Sequence, residues 1–261
     1  MIIMLITAKT LSGYTLRSLD GDIGKVEEFY FDDHHWTVRY LVVNTGNWIT
    51  GRQVLISPYA LTAVNQKEQY IEINLTKRQI EDSPSLNHDK PVSRQFEESY
   101  SEYYGMPMYW SGPYLWGPNT NIVHDPKMWG KSIQSDKSWD PHLRNTAVVS
   151  GYDIQASDGD IGHVEDFVID EETWAIRYLV IDTQNWLPGK KVLISPQWIE
   201  RVSWDLSTVF VNLTRDAIKQ SPEYSEEALL NRDYENEMYK HYHRQGYWVD
   251  EIISEEQSRL K

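Results

Sequence analysis

The chain has 261 residues, a length that fits one large domain or two of about 130 residues each. Of these residues 40% are hydrophobic and 25% are charged, a composition that supports a packed core and excludes a generally disordered chain. The formal net charge of −14 argues against a nucleic-acid partner, because affinity for the phosphate backbone depends on clustered Lys and Arg. The absence of cysteine excludes disulfides, a thiol nucleophile and thiolate metal sites.

The N-terminal residues 1–6 are apolar, but the run is much shorter than the roughly 20 residues of a membrane span. It also lacks the basic region of a signal peptide. We therefore expect a cytoplasmic protein without direct membrane insertion, in which this segment leads into a first strand.

An internal repeat organises the chain. Residues 10–84 align without a gap on residues 148–222 at a constant offset of 138, with 33 identities in 75 positions. The repeat therefore predicts two similar domains, each followed by an aromatic-rich tail. Beyond the aligned block the same offset pairs Arg94 with Arg232, Glu97 with Glu235, Tyr104 with Tyr242, and Tyr109-Trp110 with Tyr247-Trp248.

Within the first repeat the pattern predicts a series of short strands. Two β-rich runs on either side of residues 32–35 predict a hairpin, and consecutive apolar residues indicate that its second strand is buried on both faces. Pro58 ends a later strand, because proline cannot donate to a sheet. The predicted strands are residues 11–16, 26–31, 38–43, 54–57 and 70–75, and residues 208–213 are the counterpart of the last.

Helices follow the strands in both repeats. Thr76 with Gln79 three residues later is typical of a capping box, and Thr214 repeats the cap without the Gln. A second helix is predicted over residues 92–104, with a counterpart through Tyr234, Met238 and Tyr242. Each repeat thus predicts five or six strands in a small barrel followed by short helices.

The order of motifs in each repeat resembles the PRC-barrel family, and the two-barrel layout looks like bacterial stand-alone members. The resemblance implies a mainly β fold of two small PRC-type β-barrels, each followed by short helices and related by duplication. It also implies an assembly or interaction role without a shared catalytic site. In the first repeat the motifs are Gly13-Tyr14, Asp20-Gly21-Asp22-Ile23-Gly24-Lys25-Val26, Trp36-Thr37-Val38-Arg39-Tyr40-Leu41-Val42-Val43 and Ile56-Ser57-Pro58.

On this basis the chain divides into four predicted segments. Residues 1–90 are the first barrel, residues 91–141 a helical aromatic tail and linker, residues 142–222 the second barrel, and residues 223–261 a helical acidic tail. The chain carries neither the membrane helix of the reaction-centre H subunit nor the RNA-associated barrel of the ribosome maturation factor, two proteins of this family. We therefore expect neither of those two roles to transfer directly.

No catalytic residue, metal ligand or cofactor is predicted. Asp20, Asp22 and Glu27 lack the spacing of an EF-hand loop, and a tight turn at Gly21 explains them. None of the eight histidines is shared between the repeats, which favours surface positions. Glu27 with Arg39, and Glu165 with Arg177, predict ordinary cross-strand ion pairs on the surface.

The candidate interaction surface consists of aromatic residues, most of them in the tails, where Tyr and Trp are typical of docked segments or of interfaces. Docking on the chain's own domains and association with a partner both remain open. Trp198 and Trp204 replace Ala60 and Gln66, which predicts that the second barrel has a surface that the first lacks. The candidate residues are Tyr109, Trp110, Tyr247, Trp248, Trp198 and Trp204.

The sequence therefore predicts a non-enzymatic binding or assembly module that acts through a protein partner or as a homo-oligomer. One alternative is a small-ligand or stress-sensing protein that uses a cleft between the barrels. A reaction-centre-like assembly role is a further alternative. Because the second repeat and its tail carry most of the excess acidic residues, we expect a basic partner there.

Overall fold

A computed structural model describes residues 5–46, 52–84, 92, 94–106, 108–109, 143–183, 189–226 and 230–249. Most of the predicted linker and the end of the C-terminal tail lie outside these residues. The chain divides into two compact units. As far as they are described, the first unit comprises residues 6–147 and 173–175, and the second comprises residues 1–5, 148–172 and 176–261.

The secondary structure of the described residues is mainly β. The strands are β1 (Leu5–Thr7), β2 (Thr15–Ser18), β3 (Gly21–Asp32), β4 (Thr37–Asn44), β5 (Gln53–Ile56), β6 (Leu61–Asn65), β7 (Tyr70–Ile73), β8 (Leu143–Asn145), β9 (Asp153–Ala156), β10 (Gly159–Asp170), β11 (Ile176–Asp182), β12 (Lys191–Ile194), β13 (Ile199–Ser203) and β14 (Thr208–Val211). The helices are α1 (Ala8–Leu11), α2 (Lys77–Glu81), α3 (Arg94–Tyr104), α4 (Thr146–Val149), α5 (Arg215–Gln220) and α6 (Arg232–His241).

The strands form two seven-stranded sheets with the same order. The first sheet runs β5-β4-β3-β2-β7-β6, and β8 adds to it by pairing with β3. The second runs β12-β11-β10-β9-β14-β13, with β1 paired to β10. Within each run of six strands, neighbours are antiparallel except for the parallel pairs β2–β7 and β9–β14. The predicted mainly β fold of two duplicated domains is confirmed.

The central hairpin of the first sheet is the predicted one. Phe29 pairs with Leu41 across β3 and β4, and β4 is buried from Thr37 to Val43. Tyr40 and Val42 of this strand pack with Tyr100 of α3 in one apolar cluster, which also contains Leu143 of β8. Because α3 and β8 cover one face of the hairpin, its apolar residues follow one another without alternation.

The helix starts are capped as the sequence predicts. Thr76 and Gln79 form the capping box of α2, and the Thr214 side chain accepts a hydrogen bond from the backbone N–H of Ala217 at the start of α5. Oδ1 of the turn residue Asp20 also accepts from the Lys77 N–H at 2.8 Å. These contacts satisfy N–H groups that a helix start leaves without a partner.

Two glycines are required by close backbone contact. A Cβ atom at Gly24 would lie 1.9 Å from the carbonyl oxygen of Asn44, and one at Gly162 would lie 1.9 Å from that of Asp182. No side chain fits such a gap. The Gly-Asp-Ile-Gly motif shared by the repeats therefore serves the pairing of the central hairpin.

Some elements differ from the sequence prediction. Residues 11–16 are not one strand: Thr7 caps a short helix that ends at Leu11, and β2 begins only at Thr15. The sequence analysis also missed β6 and β13, each of which follows a 3₁₀ turn after a Ser-Pro pair. The turn begins where a serine, Ser57 in the first repeat, accepts from the N–H two residues later.

Candidate functional site

Each repeat contains a buried Asp–Arg ion pair at the end of its central hairpin. Nη2 of Arg39 lies 3.1 Å from Oδ2 of Asp32, and Nη2 of Arg177 lies 2.6 Å from Oδ2 of Asp170. The register of the hairpin skips each arginine, so both lie in a β-bulge. A bulge redirects the side chain of its extra residue, which here meets the aspartate of the opposite strand.

The surface ion pairs predicted from the sequence are therefore wrong. Arg39 is 1% exposed and bonds to Asp32, whereas Glu27 is exposed and accepts from Nδ2 of Asn44 at 2.7 Å. The physical reason is the register of the hairpin, which places Glu27 opposite residues 42–43 and Arg39 opposite residues 30–31, together with the bulge, which turns the arginine into the interior.

The environment of Asp32 stabilises its ionised form. Burial raises the pKa of this carboxyl, but the hydrogen bond from His35 and the charge of Arg39 outweigh burial, so the pKa lies below its ordinary value. Oδ1 accepts from the backbone N–H of His34 at 2.8 Å, and Nδ1 of His35 lies 3.1 Å from Oδ2. The Asp32 carboxylate thus holds both the turn and the arginine.

The tail of the first repeat is attached through this arginine. Cζ of Arg39 lies 4.0 Å from the ring centroid of Tyr109, a cation–π contact. The Tyr109 hydroxyl donates to Oε1 of Glu97 at 2.8 Å, and the Tyr40 hydroxyl donates to the same oxygen at 3.3 Å. Glu97 is fully buried. We call Asp32, Arg39, Tyr40, Glu97 and Tyr109 the first anchor.

The second repeat has the same arrangement. Cζ of Arg177 lies 4.0 Å from the ring centroid of Tyr247, whose hydroxyl donates to Oε1 of Glu235 at 3.1 Å. The Tyr178 hydroxyl donates to the same oxygen at 2.5 Å. Together with Asp170 these residues form the second anchor, and each is identical to its first-anchor counterpart at the offset of 138.

The carboxyl of the second anchor is affected mainly by its burial. Burial raises the pKa of Glu235 above its ordinary value, although hydrogen bonds from Tyr178 and Tyr247 and the charge of Arg232 oppose this. Nη1 of Arg232 lies 3.1 Å from Oε2 of Glu235. Burial likewise raises the pKa of Tyr178. The hydroxyl of Tyr178 therefore keeps its proton and, like that of Tyr247, donates a hydrogen bond to Glu235.

Three of the predicted interaction residues are buried within their own unit. Tyr109 is 6% exposed, Tyr247 is 2% and Trp198 is 3%. Trp198 packs against Tyr242, with 4.7 Å between ring centroids. Of the two possibilities left open for the tails, Tyr109 and Tyr247 thus follow the one in which they dock within their own unit. Trp198 does not lie on the surface predicted for the second barrel, because its ring packs between the barrel and the tail helix. The hydroxyls of Tyr109 and Tyr247 donate to buried glutamates, and the Trp198 ring packs on Tyr242.

The other predicted interaction residues have different positions. Trp248 is half-buried and lies beneath Arg232, whose Cζ is 4.0 Å from the ring. Trp110 lies outside the described residues. Trp204 is also half-buried and lies near the turn between β13 and β14, with its ring 6.1 Å from that of Tyr152. Two residues further on, Leu206 is 70% exposed. We call Trp204, Asp205 and Leu206 the hairpin tip.

One group of potential metal ligands occurs among the described residues, at the turn of the first hairpin. Ligand atoms of Asp32, Asp33 and His34 lie within 4.8 Å of one another. Both carboxylates already bind cations: Arg39 bonds to Asp32, and Nε of Arg144 lies 2.8 Å from Oδ2 of Asp33. Both guanidinium groups bond to the Oδ2 atoms, whereas Nδ1 of His34 lies 3.7 Å from Oδ1 of Asp32 and 3.1 Å from Oδ1 of Asp33.

The sequence analysis did not identify the anchors. Asp32 was assigned to a turn, and Glu97 with Glu235 was noted only as a repeated pair. The available signal was that all five anchor residues are identical in both repeats although most of the aligned positions differ. Their shared function in the fold is to fasten each tail to its barrel.

These features define two PRC-type domains in tandem. The model of the PRC-barrel domain matches residues 5–80 and 147–218, more than half of the chain, and the chain therefore belongs to the PRC-barrel family. A protein from Deinococcus radiodurans described as uncharacterized is 28% identical over 130 residues, which cover 46% of each chain. The chain thus spans about half the length of this relative. Among the described residues, no helix has both the length and the apolar character needed to cross a membrane.

Proposed function

We propose that this protein is a non-enzymatic binding module whose second repeat contacts a basic protein partner through the hairpin tip. The observation that carries the proposal is the difference between the repeats at this turn. Where the second repeat has Trp204 and Leu206, the first has Gln66 and Glu68. A 70% exposed leucine and a half-buried tryptophan together form an apolar patch at this turn, and such a patch suits a contact surface.

The charges around the hairpin tip favour a basic partner over a second copy. Asp205 lies between the two apolar residues, and Asp153 is exposed on β9, where it pairs with Thr208 beside the turn. Two copies of a chain with a net charge of −14 repel each other, whereas a basic partner is attracted. Trp204 and Leu206 would bury apolar surface against the partner, and the acidic residues would orient it.

The anchors support a binding role rather than catalysis at the chemically active groups of this chain. Their carboxylates and hydroxyls are buried and bonded to one another. Arg39 and Arg177 are likewise enclosed by their partners. Groups held in this way stabilise a scaffold, and a rigid scaffold presents an exposed turn to a partner with little loss of entropy.

A double variant tests the proposal by giving the second repeat the residues of the first. Trp204→Gln with Leu206→Glu removes the apolar surface at an exposed turn. The matched control is Leu19→Ser, which replaces a 65% exposed leucine of the first unit by its second-repeat counterpart. Each full-length chain is immobilised, proteins captured from the native cell extract are quantified by mass spectrometry, and the strongest binder is purified and titrated.

We expect a basic binder with equal affinity for the wild type and for Leu19→Ser. Its affinity for the double variant should be lower by about tenfold or more, as for the loss of about 1.4 kcal/mol at an interface centre. Equal affinity for all three chains would overturn the proposal. So would a wild type that captures no more of any protein from the extract than the double variant does. A wild type that is dimeric by light scattering and a double variant that is monomeric would instead make a second copy the occupant.

A further inference from the structure

The second repeat has an open polar cavity that no anchor residue lines. Its volume is about 470 Å³, within the range of small-ligand pockets. Asp153 and Gln155 of β9, Asp160 of β10, Thr208 of β14 and Arg215 of α5 are among the lining residues. The carboxylate of Asp160 has no hydrogen-bond or ion-pair partner within the described part of the chain.

The first repeat shows what occupies the equivalent place. There Nε of Arg17 lies 3.2 Å from Oδ1 of Asp22, the counterpart of Asp160. Cζ of the same arginine lies 4.0 Å from the ring centroid of Tyr70, the counterpart of Thr208. A guanidinium group thus lies between a carboxylate and an aromatic ring, a geometry that suits its planar cation.

Three substitutions between the repeats open this place and reverse its charge. Gln155 replaces Arg17, which removes the guanidinium, and Thr208 replaces Tyr70, which removes the ring beneath it. Asp153 replaces Thr15 and adds a second carboxylate. The first repeat therefore has a filled site with two cations and one anion, and the second has an open site with one cation and two anions.

We propose that the cavity of the second repeat binds the guanidinium group of an arginine side chain that a partner polypeptide supplies. The arginine would take the position that Arg17 has in the first repeat, with Asp160 in place of Asp22. The resident cation Arg215 does not prevent this, because Arg215 lies against Gly159 as its counterpart Lys77 lies against Gly21, and the first repeat accommodates Arg17 together with Lys77.

The inference rests on the proposed function only for the source of the arginine. Thr208 lines the cavity and its hydroxyl donates to the carbonyl oxygen of Leu206 at 3.0 Å, so the cavity adjoins the hairpin tip. A partner segment with an apolar residue near an arginine would reach both. The cavity itself can be tested without that partner.

Nuclear magnetic resonance of the ¹⁵N-labelled full-length chain tests the cavity directly. The probe is the peptide acetyl-Gly-Arg-Gly-amide, and the comparison peptide has citrulline, the uncharged isostere, in place of arginine. We expect saturable shifts of the Gly162, Gln155 and Thr208 amides with the arginine peptide only. The corresponding amides of the first repeat, Gly24 and Tyr70, should stay unchanged, because Arg17 fills their site.

Variants decide whether the shifts report the proposed site. Gln155→Arg with Thr208→Tyr restores the filled arrangement of the first repeat and should abolish the shifts. Asp160→Asn should weaken binding by about two- to fivefold, as expected for a partly exposed ion pair. Shifts that persist in the filled variant, or equal shifts with citrulline, would overturn the inference. The double variant Trp204→Gln with Leu206→Glu should keep the cavity shifts. A failure of the arginine site can therefore be distinguished from a failure of the proposed function.

Discussion

The two repeats share the five anchor residues that fasten their tails, and they differ at two surface sites, the β13–β14 turn and the cavity. All five anchor residues are the same in both repeats, and in each a tail tyrosine donates its hydroxyl hydrogen bond to a buried glutamate. At the β13–β14 turn and at the cavity, by contrast, the repeats differ in size, polarity and charge. The five shared residues fasten the tail in each repeat, whereas the turn and the cavity, where the repeats differ, carry the proposed recognition by the second repeat.

The anchors also differ in their immediate surroundings. In the first, residues 34 and 35 are histidines, and His35 bonds to Asp32. In the second, glutamate and threonine occupy these positions, and Asp170 instead accepts two hydrogen bonds from Arg177. The same ion pair is therefore supported by two sets of neighbours, and this makes parallel mutations in the repeats informative.

The largest effect is expected from breaking the buried ion pair. Asp170→Ala leaves the guanidinium of Arg177 buried without its carboxylate, and we expect a loss of about 3–5 kcal/mol in the unfolding free energy of the second unit. Asp32→Ala should cost the first unit a similar amount. Hydrogen exchange of the β11 and β4 amides, followed by mass spectrometry, reports the two units separately. Asp22→Ala, at an exposed pair, is the control and should cost less than about 1 kcal/mol.

The fold was largely predictable from local patterns, whereas the anchors were not. The capping box at Thr76 and the buried run of β4 are short-range signals, and both predictions are confirmed. The first anchor depends on a bulge at Arg39, and the hydropathy pattern does not predict this bulge. It also joins Asp32 to Tyr109, which are far apart in the sequence. Long-range polar contacts of this kind require knowledge of strand register.

The tail hydroxyls provide a smaller effect that tests whether the anchors are equivalent. Tyr247→Phe keeps the ring on Arg177 but removes the hydroxyl that donates to Glu235, so we expect a loss of about 1–3 kcal/mol in the second unit. Tyr109→Phe should have the same effect in the first. Urea unfolding of each variant measures the loss. Unequal losses beyond about 1 kcal/mol would show that the two clamps hold their tails differently.

The pH dependence of the second unit tests the state of its buried carboxyl. Because the folded pKa of Glu235 lies above its ordinary value of 4.5, its contribution to stability is fully present below 4.5 and is lost as the pH rises through the folded pKa. The second unit should therefore become more stable as the pH falls from neutral toward 4.5. Glu235→Gln should remove this gain while retaining an acceptor for Tyr178 and Tyr247. A gain that persists in the variant would contradict the assignment.

The smallest effect concerns the filled site of the first repeat. Arg17→Gln gives this site the residue of its counterpart and removes an exposed ion pair and a cation–π contact, so we expect a loss of only about 0.5–1 kcal/mol. The more informative measurement on this variant is its binding of the arginine peptide. If the arginine is what closes the site, the variant should acquire shifts at the Gly24 and Tyr70 amides with the arginine peptide. These should be weaker than those of the second repeat, because Thr15 provides no second carboxylate. Lys25→Gln, which removes a neighbouring surface charge and leaves Arg17 in place, should acquire no such shifts.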